Sequence, residues 1–399
     1  MSKTVRPAGT TGEVFKAFLI LGLTSFGGPI AHLGYFRTEF VERRRWLTEQ
    51  AYADLVALCQ FLPGPASSQV GFALGLTRAG YLGALAAWIA FTLPSAMILV
   101  LFAMGANIFD STIAQGIVHG LKITAVAIVA HAVLGMARNL CPDQQRTGIA
   151  LAAVATVIFI SGPLGQVAAI LLGAFAGLIL CRQGGIEQKN DLVLPVSSNS
   201  GYVAAFIFTL FLLGLPVIAW VSPSPSVVLM DSFYRAGALV FGGGHVVLPL
   251  LEAETVQSGW ISADEFLTGY GITQAVPGPL FTFAAYIGAL MEPMHSKLLG
   301  AGLALVMIFL PGLLLLIAIV PHWNKFRRWK GAQSLMHGAN AAVVGILGAA
   351  LYQPVWSSTI HKPFEFVLAL TGFLLLTVWK FPAWAVVLIL ALGGVLISL

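Results

Sequence analysis

Gln60-Phe61-Leu62-Pro63-Gly64-Pro65 returns 214 residues later as Gln274-Ala275-Val276-Pro277-Gly278-Pro279. Each hexapeptide sits in an otherwise apolar stretch of membrane-span character. Each also lies downstream of a second glycine break, Phe26-Gly27-Gly28-Pro29 in one case and Phe241-Gly242-Gly243-Gly244 in the other. Proline removes a backbone donor and glycine lifts the restriction on φ, so each of the four marks a helix break. The doubled pair of breaks is the feature around which the chain is organised.

Working outward, other landmarks repeat in the same order. Phe26-Gly27-Gly28 matches Phe241-Gly242-Gly243 at an offset of 215, and Trp46 matches Trp260 at 214. Leu93-Pro94 matches Leu310-Pro311 at 217, and His119-Gly120 matches His337-Gly338 at 218. Ordered landmarks with a slowly drifting offset indicate a duplication. The halves run from about Glu13 to Arg182 and from about Phe233 to Leu399. The expected division is residues 1–182, a linker with one unpaired span over 183–232, and residues 233–399.

Composition sets the environment. Of 399 residues, 58% are hydrophobic and only 9% charged, and the mean hydropathy is +0.89. A soluble domain carries roughly a quarter charged residues, so the chain reads as an integral membrane protein. Continuous helix-length apolar runs argue for helices and against a β-barrel. The formal charge of +5 lies in short basic clusters between spans, which orient a membrane protein and do not indicate nucleic acid. Cys59, Cys141 and Cys181 have neither disulfide nor metal spacing. The polar, basic residues 1–16 lead into an apolar run without a small-residue cleavage pattern, so they read as retained structure and not a signal peptide.

The linker begins with Gln183–Ser200, a polar loop, and continues with Tyr202–Val221, long enough for one crossing. One unpaired crossing between two repeats inverts the second, and the charges agree. Arg37, Arg43, Arg44 and Arg45 follow the first glycine break, while Val246–Ser296 has no Lys or Arg and carries Glu252, Glu254, Asp264 and Glu265. Farther along, Lys325, Arg327, Arg328 and Lys330 stand in the second half, opposite an Ala79–Leu121 stretch without Lys or Arg. Basic loops stay cytoplasmic. The expected fold is therefore an all-α polytopic membrane protein whose two homologous halves lie in inverted topology, the plan of secondary transporters.

Lys3, Arg6 and Lys16, then Arg37–Arg45, then Arg78 are all basic. If all are cytoplasmic, Phe15–Phe36 and Ala51–Thr77 are re-entrant, turning at their breaks near the midplane. Two full but kinked spans, with Arg78 snorkelling, are the alternative. Conventional spans are expected at Tyr81–Ala106 and Ile113–Ala137, followed by a short apolar pair at Gly148–Ile160 and Leu164–Leu180. In the second half the order repeats at Leu298–Val320, Gly331–Tyr352, Phe364–Trp379 and Ala383–Leu399.

A break inside a bilayer is tolerated where it faces protein or a wet cavity. It exposes helix N-termini, whose free N–H groups favour an anion. The candidate binding residues are thus Ser25, Phe26, Gly27, Gly28, Gln60, Pro63, Gly64, Pro65 and Ser67, with Gly242, Gly243, Gly244, Gln274, Pro277, Gly278 and Pro279. Ser68, Thr273 and Thr282 lie near the tips as further donors. Glycine and proline also simply kink helices or permit close packing; four breaks in two matched pairs favour the site.

Ionisable residues within spans are few. Lys122, whose counterpart is Asn340, either neutralises a bound anion or snorkels to the surface. His32, His245 and the matched His119 and His337 read either as proton carriers or as packed histidines. Arg78 and Arg235 are further candidates for charge neutralisation or coupling, and Asp54 and Glu265 are weaker proton carriers. No nucleotide loop, cofactor motif or metal cluster is present, so the reading is a transporter or channel and not an enzyme.

The chain resembles the chromate ion transporter family. The resemblance rests on Leu23-Thr24-Ser25-Phe26-Gly27-Gly28-Pro29, Arg44-Arg45-Trp46-Leu47, Cys59-Gln60-Phe61-Leu62-Pro63-Gly64-Pro65, Phe241-Gly242-Gly243-Gly244-His245 and Val276-Pro277-Gly278-Pro279. It covers nearly the whole chain and matches the family's long, two-domain form. It implies chromate efflux across the bacterial inner membrane, coupling to the proton motive force, chromate resistance, and sulfate as a competitor of like shape and charge. The partners so implied are a small oxyanion, protons and lipid, with a homodimer left open; no cofactor is implied. A passive oxyanion channel, or a transporter of sulfate or another anion with the same fold, is the alternative. Pro29 is replaced by Gly244 and Cys59 by Thr273, so the halves need not bind equally, and the first is expected to carry more of the substrate contact.

Overall fold

A computed structural model describes residues 9–105, 111–181, 194–291, 296–323 and 329–398. Lys3, Arg6, Arg182, the linker residues 183–193 and the basic cluster Lys325, Arg327 and Arg328 lie outside the described residues. The described chain is helical, with no strand among its elements. The first half comprises α1 (Thr11–Thr24), α2 (Gly28–Phe36), α3 (Glu49–Phe61), α4 (Ala66–Gly105), α5 (Thr112–Leu140), α6 (Gln144–Phe159) and α7 (Pro163–Leu180). After α8 (Ser198–Val221) come α9 (Pro225–Ala238), α10 (Val247–Thr255), α11 (Ala263–Thr273), α12 (Phe283–Leu290), α13 (Lys297–Ile319), α14 (Lys330–Ala350), α15 (Pro363–Thr377) and α16 (Ala383–Ser398).

All four glycine or proline motifs are breaks between helices. Among the described residues, six helices are long and apolar enough to cross a membrane, and the apolar segments Leu280–Leu290, Pro363–Thr377 and Ala383–Ser398 are shorter. The chain is an all-α, multi-pass membrane protein.

Helix starts follow local capping chemistry. Thr10 and Thr48 accept the N–H groups of Glu13 and Ala51 at the starts of α1 and α3, and Ser262 with Glu265 forms a capping box on α11. The helices flanking the first two breaks are short, with 14 residues in α1 and 13 in α3, or about 20 Å each at 1.5 Å per residue. A hydrocarbon core is about 30 Å thick.

Both broken segments return to the end they left. Glu13, at the start of α1, receives Arg78 Nη2 at 3.0 Å and lies 3.9 Å from Arg44 Nη1. The Arg44 and Arg78 guanidiniums both stand over the Trp46 ring, 5.8 and 5.1 Å from its centroid. The chain thus leaves this cluster along α1, comes back at Arg44, leaves again along α3, and comes back at Arg78. At Ala79 and Gly80 α4 has non-helical dihedrals, with φ of −145° and 64°. Gly75 packs against Gly83 there, a contact no straight helix allows at that spacing, so α4 folds back before its long run to Gly105.

The halves are interleaved. Helix α5 packs on α16, with Gly116 and Gly120 against Gly394, and α14 packs on α7, with Gly338 against Gly173 and Gly177. Glycine at these crossings lets the backbones touch. Each half thus receives the last helix of the other. The unpaired α8 lies on α9 and α13, where Tyr234 Oη donates to the Phe208 carbonyl at 3.0 Å.

Candidate anion-binding site

The four breaks meet, and they meet crosswise. At the second break the Gly64 N–H donates to the carbonyl of Val240, at the edge of the third, at 2.7 Å. At the fourth break the Gly278 N–H donates to the carbonyl of Ser25, in the first, at 2.9 Å. Gly64 and Gly278 are equivalent positions at an offset of 214, and Ser25 and Val240 are equivalent at 215. The two bonds are one bond made twice, each between halves. The first and third breaks also touch, Pro29 lying beside Gly244. Such reciprocal contact between matched positions is the signature of a two-fold relation.

Local backbone chemistry explains why glycine stands at the tips. Gly64 has φ 114° and Gly278 has φ 105°, a region that side-chain-bearing residues avoid. A Cβ on Gly64 would lie 2.9 Å from Gly312 Cα, and one on Gly278 would lie 2.7 Å from Ser95 Oγ. New helices begin directly after each turn, α2 at Gly28 and α4 at Ala66. The third and fourth breaks resume through short 3₁₀ turns, Gly244–Val246 and Leu280–Thr282. Each start carries roughly half a positive charge in unsatisfied N–H groups.

Several polar atoms at the breaks are buried without a protein partner: Ser25 Oγ, His32 Nε2, Ser68 Oγ, Thr92 Oγ1, Gln274 Nε2 and Asn340 Oδ1. Ser25 and His32 are fully buried, and Ser67 and Ser68 nearly so. The His32 Nδ1 stands 3.5 Å from Ser67 Oγ, and its ring meets Phe91 edge-on at 5.3 Å. An orphaned buried hydroxyl costs about 1–3 kcal/mol, so a cluster of them calls for a bound group or water.

Other candidates from the sequence sit differently. Phe26 faces Trp384 at 6.4 Å. Gln60, Gly27 and Gly242 are exposed, Gly28 and Gly243 half-buried, and Gly64, Pro65, Gly244, Pro277 and Pro279 buried, with Pro63 half-buried at the tip. Thr273 and Thr282 donate to the carbonyls of Gly269 and Pro279. His245 Nδ1 pairs with Tyr270 Oη at 2.7 Å. Asp54 is buried and receives Gln50 at 3.4 Å, and Glu265 caps α11.

The charged candidates are committed to partners. Lys122 Nζ meets Asp264 Oδ1 at 2.8 Å, and Arg78 chelates Glu13. Arg235 bridges Asp231 and Glu254 at 3.1 and 2.8 Å. His119 meets Glu365 at 3.1 Å, and its counterpart His337 is half-buried on α14. What gathers at the breaks is a set of neutral dipoles. Among the described residues no group of His, Cys, Asp and Glu has the arrangement to hold a metal. The three cysteines are free.

Four residues at the breaks were not among the site candidates read from the sequence: Gln69, Thr92, Ser95 and Asn340, the last named there only as the counterpart of Lys122. Gln69 Nε2 donates to the carbonyls of Pro63 at 3.0 Å and Gly312 at 2.8 Å, sewing the second break to α13. Asn340 Oδ1 borders Gly242, and Ser95 borders Gly278. Ser95 follows the Leu93-Pro94 landmark directly, so the repeat itself pointed to its neighbourhood.

Comparison with known proteins agrees with this architecture. The family described as Chromate transporter matches residues 12–178 and again residues 227–396. The chain belongs to that family. It is 27% identical to the "Probable chromate transport protein" of Synechococcus elongatus, over 98% of this chain and 97% of the relative. It is also 27% identical to the "Chromate transport protein" of Pseudomonas aeruginosa, over 98% and 93%. Identity to the protein of the same name from Cupriavidus metallidurans is 27%, over 98% and 94%. No solved structure matches the chain.

Proposed function

We propose that this protein exports chromate, a tetrahedral oxyanion dianion, from the cytoplasm, binding it among the four helix breaks. The observation that carries the reading is the crosswise pair of hydrogen bonds, Gly64 to Val240 and Gly278 to Ser25. These bonds draw four helix starts together and leave buried neutral donors beside them. Neutral donors suit a transported anion, because full charges would hold it too tightly to release. The names of the relatives supply the substrate. Sulfate, alike in shape and charge, competes for the same donors.

The two halves, residues 1–182 and 233–399, act as inverted transporter repeats joined by a linker and α8. The reciprocal contacts and the opposite charge of matched loops support the inversion. The first-half hairpins then dip from the cytoplasmic side of a bacterial inner membrane and turn near its midplane. A negative interior drives a dianion outward by roughly 2 × 2.3 kcal/mol per 100 mV. Coupling to proton entry adds to this. Cells gain chromate resistance from the activity. Arg78, Arg235 and His119 maintain ion pairs that fix the frame, and Lys122 is held in an exposed pair with Asp264.

The test is radiolabelled chromate flux in inside-out vesicles with an imposed pH gradient. Uptake that follows the gradient at zero membrane potential and falls with added sulfate is expected. Flux indifferent to the gradient would replace this reading with a passive pore.

A further inference from the structure

The duplication provides an internal control, because every residue at one crosswise junction has a counterpart at the other. The junction of the first and fourth breaks is lined by Ser25, His32, Ser67, Thr92 and Ser95. Gly278 donates to the Ser25 carbonyl there and packs on Ser95. Phe91, against the His32 ring, has its carbonyl 3.3 Å from the place of a Gly278 Cβ. All five lining side chains are at most 3% exposed. At the junction of the second and third breaks the matching residues are Val240, Val247, Phe281, Phe309 and Gly312, at offsets of 214 to 217.

The contrast in hydroxyl groups is complete, although Gln69 Oε1 at the apolar junction is also buried without a partner. Where one junction has three serines, a threonine and a histidine, the other has two valines, two phenylalanines and a glycine. Phe281 and Phe309 fill their space by packing ring on ring, with centroids 5.6 Å apart. Gln69 then seals that junction with its two backbone bonds. Its own counterpart is Phe283. The same fold therefore closes one junction with apolar side chains and needs no hydroxyl to do so. At the other, Ser25 Oγ, His32 Nε2 and Thr92 Oγ1 are buried with no partner. A fold that can be built dry on one side gains nothing structural from orphaned donors on the other.

We propose that the protein has a single anion site, at the junction of the first and fourth breaks. Ser25 and Thr92 donate their unpartnered hydroxyls there to a tetrahedral oxyanion, Ser95 exchanges its 3.0 Å bond to the Thr92 carbonyl for one to the anion, and the Gly64–Val240 junction is a sealed structural joint. This rests on the oxyanion reading above and deepens it. It assigns ligand roles to Thr92 and Ser95, on α4, and makes the two halves unequal partners: the first supplies the donors, the second the Gly278 turn that closes over them. The site holds the anion with neutral donors, which favours a dianion over a monoanion through the strength of each bond and not through a fixed counter-charge.

The experiment measures binding of chromate, and separately of sulfate, to the purified full-length protein in detergent, with thermal unfolding recorded with and without each anion. Ser25→Val, Thr92→Val and Ser95→Ala each take away one hydroxyl; Val240→Ser adds one at the sealed junction. Each of the first three is expected to weaken binding about 10- to 100-fold, the worth of one hydrogen bond to a charged group, while the unfolding temperature without ligand holds or rises. Val240→Ser is expected to bind as the wild type does. Wild-type affinity in Ser25→Val and Ser95→Ala would overturn the assignment and leave the oxyanion reading standing. So would loss of binding that merely tracks a fall in the ligand-free unfolding temperature. A wild-type protein that binds neither anion would instead overturn the oxyanion reading, and this proposal with it.

Discussion

Pro29 and Gly244 are equivalent residues of the two halves, and they touch: a Cβ on Gly244 would lie 3.0 Å from Pro29 Cγ. The proposed inversion of the halves puts a residue that meets its own counterpart on the axis relating them. Only one of the two can carry a ring there, which gives a steric reason for the one departure between the glycine breaks. Gly244→Pro is expected to lower the unfolding temperature of the purified protein by several degrees, and Pro29→Gly combined with Gly244→Pro to restore most of it. A double variant no better than Gly244→Pro alone would break the steric argument.

Gln69 is the seal of the second break. Gln69→Leu leaves the carbonyls of Pro63 and Gly312 without their shared donor, an expected loss of about 1–3 kcal/mol. Denaturation should show that loss while chromate affinity in the surviving folded protein stays within about threefold of wild type.

Lys122 is 12% exposed and its partner Asp264 is 67% exposed. So open a pair contributes less than about 1 kcal/mol, and Lys122→Met should leave both stability and chromate affinity nearly unchanged. A drop in affinity with normal stability would instead make Lys122 the counter-charge of the bound anion.

Inversion can be read from labelling. Arg43 and Ser258 are equivalent at an offset of 215, and both are exposed. In a background lacking Cys59, Cys141 and Cys181, Arg43→Cys is expected to react with an impermeant thiol reagent only in inside-out vesicles. Ser258→Cys should react only in right-side-out ones. The same sidedness for both would remove the inverted plan.

The breaks, the repeat and the spans were legible because they are local chemistry. Pro63-Gly64-Pro65 breaks a helix wherever it stands, and a matched offset needs only the sequence. The corner at Ala79–Gly80 fell where the basic Arg78 placed the end of the second hairpin. What stayed hidden is non-local. No periodicity says that Gly64 reaches Val240 and not its own half's Ser25, because that exchange is decided by how α5 and α14 pack on the partner half's last helices. The partners of Lys122, Arg78 and Arg235 stayed hidden for the same reason. So did Ser95 and Gln69, ordinary polar residues on a long helix until the fourth break or α13 is set beside them.

The most direct test of the central claim is chromate export by Gly27→Leu, scored against the amount of correctly inserted protein. Gly27 has φ 100°, which a leucine rarely adopts, and a Cβ there would press on Ala31 alone, at 3.1 Å, so the substitution reshapes the helix start and is scored only on correctly inserted protein. If the breaks hold the anion, export per inserted molecule falls at least about tenfold, the loss of one strong anion contact. Wild-type export at wild-type insertion would mean that the anion crosses elsewhere.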